Sequence, residues 1–273
     1  MSRSTAPVAS TRIVQDCHQL RDEFNGQIEQ EIHVRNVLVT GATRGLGLAT
    51  AQRLIGDGWF VIGTGRTETD AIRELLTDHH ASFAFVPFDL ADIDGLHGFV
   101  RAINQDYGPL YGLVNNAAIG LDGVLGTMHN SDIERTLRIN VLGPVILTKY
   151  VARLMMRKKE GRIVNISSII ANTGFSGLSA YAASKAAMEG FTRSLAREIG
   201  RFNITVNCVA PGFMATEMTS NLHGDKLETI LRRSPLQRLA KPQDAAGVIS
   251  FLLGSGGDSV TGTVMTVDAG STS

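Results

Sequence analysis

The chain has 273 residues, 43% of them apolar, which suits one large α/β domain. Basic and acidic residues balance at 26 each, so the formal charge is zero, arguing against a nucleic-acid or membrane-surface partner. The two cysteines, Cys17 and Cys208, give no disulfide framework and point to a reducing cytoplasmic setting. No apolar stretch reads as long enough to span a bilayer.

Residues 1–34 carry Ser, Gln, Asp and Glu with little apolar periodicity and read as a partly ordered N-terminal extension. The first dozen hold two arginines and no acid, a weak likeness to a transit peptide. Residues 35–273 alternate short apolar runs with amphipathic segments and read as one domain. Asn36–Thr40 is a buried strand, followed by a glycine-rich turn and a helix near Gly45–Gly56. Further strands are expected at Trp59–Gly63, Phe83–Pro87, Leu110–Asn115, Arg162–Ser167, Ile204–Val209 and Thr263–Val267. Helices lie between most of them, among them Ser131–Met156 and Ala180–Ile199. This order implies a parallel, doubly wound sheet with right-handed crossovers and helices on both faces.

The first strand runs into Thr40-Gly41-Ala42-Thr43-Arg44-Gly45-Leu46-Gly47. Three glycines after a strand and before a helix can bring backbone N–H groups against a pyrophosphate, although a ligand-free turn has the same composition. Gly41, Thr43, Arg44, Gly45, Leu46 and Gly47 are therefore candidate cofactor residues. The second strand leads into Gly65-Arg66, with no acid where a ribose-binding carboxylate would select NAD. Arg66 and Arg44 instead suit a 2′-phosphate, so NADP(H) is the expected cofactor, unless both arginines are simply solvated. Asp89-Leu90 follows the third strand, where Asp89 would either meet the adenine amino group or cap the next helix. Asn115-Asn116-Ala117-Ala118 follows the fourth; small residues there would let the cofactor lie flat, and the Asn side chains would pin the loop.

Tyr181 and Lys185 stand at i and i+4 near a helix start, on one face. A free phenol has a pKa near ~10, and a neighbouring ammonium would lower it toward the range useful for proton transfer. Ser168, at the end of the fifth strand and thirteen residues before Tyr181, would donate to a substrate carbonyl oxygen. Asn140 is a buried-looking amide in a helix; a water joining it to Lys185 would give it a partner. Nothing in the sequence calls for a metal.

On Thr40-Gly41, Gly45, Gly47, Asp89, Asn115-Asn116-Ala117, Asn140, Ser168, Tyr181, Lys185 and Pro211-Gly212, the chain resembles the short-chain dehydrogenase/reductases from about residue 35 to its end. Ser184–Ala187, Ile204–Asn207 and Pro211–Thr216 are most similar to the β-ketoacyl-acyl-carrier-protein reductases. The resemblance implies a three-layer Rossmann-type domain with a seven-stranded sheet, an Asn-Ser-Tyr-Lys catalytic tetrad and a homotetramer. It also implies cofactor contacts near Pro211, Gly212, Met214 and Thr216, with Tyr181 and Lys185 reaching the nicotinamide ribose. Residues 213–240 would form a lid, and Met128–Arg157 with Ala180–Arg201 would pair protomers. The substrate would be a small ketone or a 3-oxoacyl thioester. The alternatives are a free ketone, steroid, sugar or polyketide intermediate, or a non-catalytic NADP-binding regulator. Docking of acyl carrier protein would use Arg157, Lys158 and Lys159; Phe202, beside Arg201, departs from the family's usual arginine.

Overall fold

The computed structural model describes residues 35–214 and 225–273. The extension 1–34, Cys17 and Thr216 lie outside the described residues. Seven parallel strands form one sheet in the order β3-β2-β1-β4-β5-β6-β7. They are β1 (Asn36–Thr40), β2 (Phe60–Gly65), β3 (Phe83–Pro87), β4 (Leu110–Asn115), β5 (Gly161–Ile166), β6 (Ile204–Pro211) and β7 (Val264–Val267). The expected strands are all present, with some ends shifted by one or two residues. β1, β3 and β4 have the expected bounds, and the largest change in β6 is its continuation through Ala210-Pro211.

The strands bury both faces because alternate side chains point opposite ways. Val37, Val39, Val61, Val114, Val164 and Val209 face α1 (Gly45–Gly56), α2 (Asp70–Asp78) and, from further along the chain, the helix Pro242–Leu253. Leu38, Ile62, Leu113, Ile163 and Val206 face α3 (Leu96–Asp106) and the long helices that follow β4 and β5. The sheet is therefore a doubly wound Rossmann-type layer between two helical layers. Its winding direction reverses between β1 and β4, and ligand crevices form at such a switch beyond the carboxyl ends.

The single helix expected over Ser131–Met156 is interrupted. α4 (Asn130–Leu137) passes into a π turn at Arg138–Leu142 and then α5 (Gly143–Lys158). The widened turn lies where the Asn140 side chain bonds outward and where the helix crosses Leu90 closely. A Cβ on Gly143 would sit 2.8 Å from the Leu90 carbonyl oxygen. By length and hydropathy the continuous run Asn130–Lys158 is able to cross a bilayer, contrary to the sequence expectation. It serves here as a core helix, with Leu147, Val151 and Met155 fully buried. A short α6 (Ile170–Thr173) leads to α7 (Ser179–Ile199); α8 (Asp225–Arg233) and α9 (Pro242–Leu253) precede β7.

Candidate active site

The glycine loop leaves β1 with Gly41 at φ +67° and Gly45 at φ +55°. A Cβ on Gly47 would lie 2.0 Å from the Gly41 carbonyl oxygen, so only glycine lets the loop close on itself. Asn116 pins it: its amide donates to the carbonyls of Thr40 (2.8 Å) and Gly41 (3.1 Å). The Thr40 hydroxyl accepts from the backbone N–H groups of Asn116 and Ala117, both at 3.0 Å. Thr40 is thus a hub that the strand pattern hid. No side chain caps α1, whose N-cap is Arg44, leaving its first-turn N–H groups directed at the crevice. That uncapped amino end, beside small residues at Gly45 and Ala117, fits a dinucleotide pyrophosphate. Gly65 ends β2 against Thr43, and Arg66 follows it, exposed.

Asp89 accepts a bond from the Ala91 N–H at 3.0 Å, which fixes the turn after β3. Leu90 turns its side chain into the core, and only its backbone is left for a cofactor. Asn115 belongs to a buried chain of amides and hydroxyls, donating to Thr148 and Asn165, each at 2.8 Å, while Asn165 donates to Thr192. Pro211 closes β6, and Gly212 must be glycine because a Cβ there would lie 2.6 Å from that of Asp268. Met214 forms a parallel bridge with Ala240. Of the expected lid, residues 215–224 lie outside the described residues. Beyond α8, Ser234 is buried and donates to the Ala269 carbonyl at 2.7 Å.

Ser168, Tyr181 and Lys185 come together at the carboxyl ends of β5 and β6. Lys185 is buried, and its ammonium donates to the Ile166 carbonyl at 2.8 Å. Nζ lies 5.6 Å from the Tyr181 ring centroid. Burial lowers the Lys185 pKa to about 8, with neighbouring Cys208 pulling slightly the other way. In the chain by itself the Tyr181 phenol is raised rather than lowered. Burial disfavours the phenolate more than the hydrogen bond with Ser168 favours it, and Lys185 is itself desolvated and turned toward Ile166. Cys208, a free buried thiol, is pushed up to about 12 by burial and by Glu189.

Asn140 is buried in the π turn before α5. Its amide donates to the Ile119 carbonyl (2.8 Å) and the Ser184 hydroxyl (3.1 Å), and its oxygen accepts from the Ile119 N–H (2.9 Å). Both N–H groups are used, so the side chain braces the loop after β4 against the Tyr181 helix. Glu189, which the sequence reading missed, braces the other side. It accepts from Ser167 at 2.9 Å and Asn172 at 3.1 Å, while Ser167 also donates to the Lys185 carbonyl. An acid two helical turns beyond Tyr181, on its buried face, was the available signal.

The mouth of the site is apolar. Phe175 and Phe213 meet edge-on with centroids 5.5 Å apart. The Gly123 N–H donates to the Gly177 carbonyl, joining the loops after β4 and α6 beside exposed Val124 and Leu125. Arg157, Lys158 and Lys159 lie elsewhere. They end α5 just before β5 begins, about 20 Å along that strand from Ser168. Within one chain this basic cluster is on the face opposite the site, so it does not flank the mouth as the docking expectation required.

Comparison with known proteins agrees with this geometry. Residues 35–227 match the family described as short chain dehydrogenase, and the chain belongs to that family. It is 38% identical over 235 residues to a 3-oxoacyl-acyl-carrier-protein reductase of Haemophilus influenzae, covering 85% of this chain and 96% of that one. It is 35% identical over 240 residues to nodulation protein G of Rhizobium sp. strain N33, covering 88% and 98%. The solved structure of ElxO with NADP bound superposes with a TM-score of 0.81 at 30% identity, covering 87% of this chain and 98% of that one. The protein is thus an oxidoreductase of the short-chain class.

Proposed function

We propose that the protein reduces the ketone of a 3-oxoacyl thioester to a secondary alcohol with NADP(H). The carrying observation is the meeting of Ser168, Tyr181 and buried Lys185 at the strand ends that the uncapped glycine-loop helix faces. The bound dinucleotide supplies the hydride. Ser168 holds the carbonyl oxygen, Tyr181 gives its proton to the developing alkoxide, and Lys185 steadies the phenolate that remains. Asn140 and Glu189 are positioning residues for these three.

NADP(H) is supported by Arg66 and Arg44 at the two loops and by glycine, not an acid, at position 65. The thioester is supported by the 3-oxoacyl reductase relatives and by the apolar mouth of Val124, Leu125, Phe175 and Phe213, which suits an acyl tail better than a polyol. The decisive experiment is steady-state oxidation of NADPH and NADH with an acetoacetyl thioester beside free cyclic ketones and sugars. The thioester should be preferred with NADPH, and Tyr181→Phe should lower turnover by about a hundred- to ten-thousand-fold. Near wild-type activity in Tyr181→Phe, or NADPH binding without turnover of any ketone, would refute the assignment.

A further inference from the structure

The end of β2 and the glycine loop press on each other at the position that chooses between the two nicotinamide cofactors. An NAD-selecting carboxylate would stand at position 65. A Cβ built on Gly65 would lie 2.7 Å from Thr43 Cγ2, 3.7 Å from Thr43 Oγ1 and 3.8 Å from Phe85 Cζ. The first separation is far inside the optimum for carbon pairs, whereas the others are ordinary contacts. Gly65 does not have a positive φ, so backbone conformation does not require glycine there. The overlap with Thr43 does.

Thr43 is poorly placed to retreat. The Ala42 N–H donates to the Thr64 carbonyl at 3.1 Å, and the Thr69 hydroxyl donates to the Thr43 carbonyl at 3.2 Å. The loop is therefore tied to β2 on one side and to the start of α2 on the other. The side chain is β-branched and stiff at χ1. In Thr43→Ala the crowding Cγ2 vanishes together with Oγ1, and Phe85 Cζ becomes the nearest neighbour of a side chain at 65.

We infer that Thr43 is a specificity-determining residue: it fills the volume that a carboxylate at position 65 would enter and so confines that position to glycine. Its role in cofactor choice rests on the NADP(H) reading above; the steric coupling itself does not. Thr43 acts by exclusion, keeping an acid away from the ribose end of the pocket and leaving that end to Arg66. A switch toward NADH therefore needs two changes, one to admit the carboxylate and one to supply it.

The test is a double-mutant cycle on the full chain with Gly65→Ala or Gly65→Asp, each with and without Thr43→Ala. Gly65→Ala should lower the melting temperature by about 3–10 °C, and adding Thr43→Ala should recover at least half of the loss. Gly65→Asp alone should lose about tenfold in kcat/KM with both cofactors, while Thr43→Ala/Gly65→Asp should raise the NADH-to-NADPH ratio about a hundredfold over wild type. Additive melting shifts would overturn the coupling. Gly65→Asp alone matching the double variant with NADH would overturn the gating role. A wild-type preference for NADH would overturn the NADP(H) reading, and the selective role of Thr43 with it. In that case a non-additive melting cycle would still mark the steric contact as real.

Discussion

Tyr181 holds its proton more firmly than a free phenol because burial disfavours the phenolate more than the Ser168 hydrogen bond favours it. That direction suits a proton donor in a reduction. Lys185 titrates instead, at about 8. Its ammonium is present below that pH and lost above it, so the charge that steadies the phenolate fades as pH rises. The reductive kcat/KM should be level below pH about 8 and fall beyond it. Lys185→Arg, which keeps its charge, should move that falling limb upward even if turnover is slower. An unchanged limb in Lys185→Arg would assign the ionisation elsewhere. The Tyr181–Lys185 pair was legible as residues four apart on one helix face. The sign of the tyrosine shift was not, because burial is a property of everything packed around the ring.

Among the elements, β5 leads into Ser168 and is held at both ends. At its far end Glu189, Ser167 and Asn172 fix the residues around Ser168. At its beginning Arg162 is buried and donates to Asp258 at 2.6 Å, with further bonds to the Gly161 and Asn203 carbonyls. Asp258→Ala would leave that guanidinium buried without its counter-charge. Urea unfolding should then show a loss of about 2 kcal/mol, at the low end for such pairs because the aspartate is exposed. Adding Arg162→Met should restore part of it; a larger loss in the double variant would show that the arginine acts mainly through packing. Nothing in the run Arg162–Ser167 announced this bridge, since the two partners are 96 residues apart.

At the scale of the whole molecule, exposed Leu137 and Leu142 lie on the helical run that family resemblance assigns to protomer pairing. Sedimentation should report four chains per particle, and Leu142→Glu should yield smaller species, because a buried unpaired carboxylate is costly at an interface. A monomeric wild type would remove pairing as the reason for that exposed apolar face. Assembly also bears on the carrier protein. With Arg157, Lys158 and Lys159 at the amino ends of the strands, a partner held there would reach a site only on a second chain. Loss of thioester selectivity in the smaller species is the corresponding readout.

By itself the sequence determined the alternation of strands and helices, the glycine loop and the Tyr181–Lys185–Ser168 set. Each is a pattern within a short stretch of chain: an apolar run, a turn that needs glycine, a spacing of four on a helix, or a serine at the end of a strand. Only the tertiary structure decided which groups face one another across elements. It turned Asn140 toward Ile119 and Ser184, set Asp89 to its own turn, sent Leu90 into the core and placed Thr43 against Gly65. Apart from the Asp89 turn, these contacts join residues distant in the chain, and their energies depend on burial and distances that packing creates.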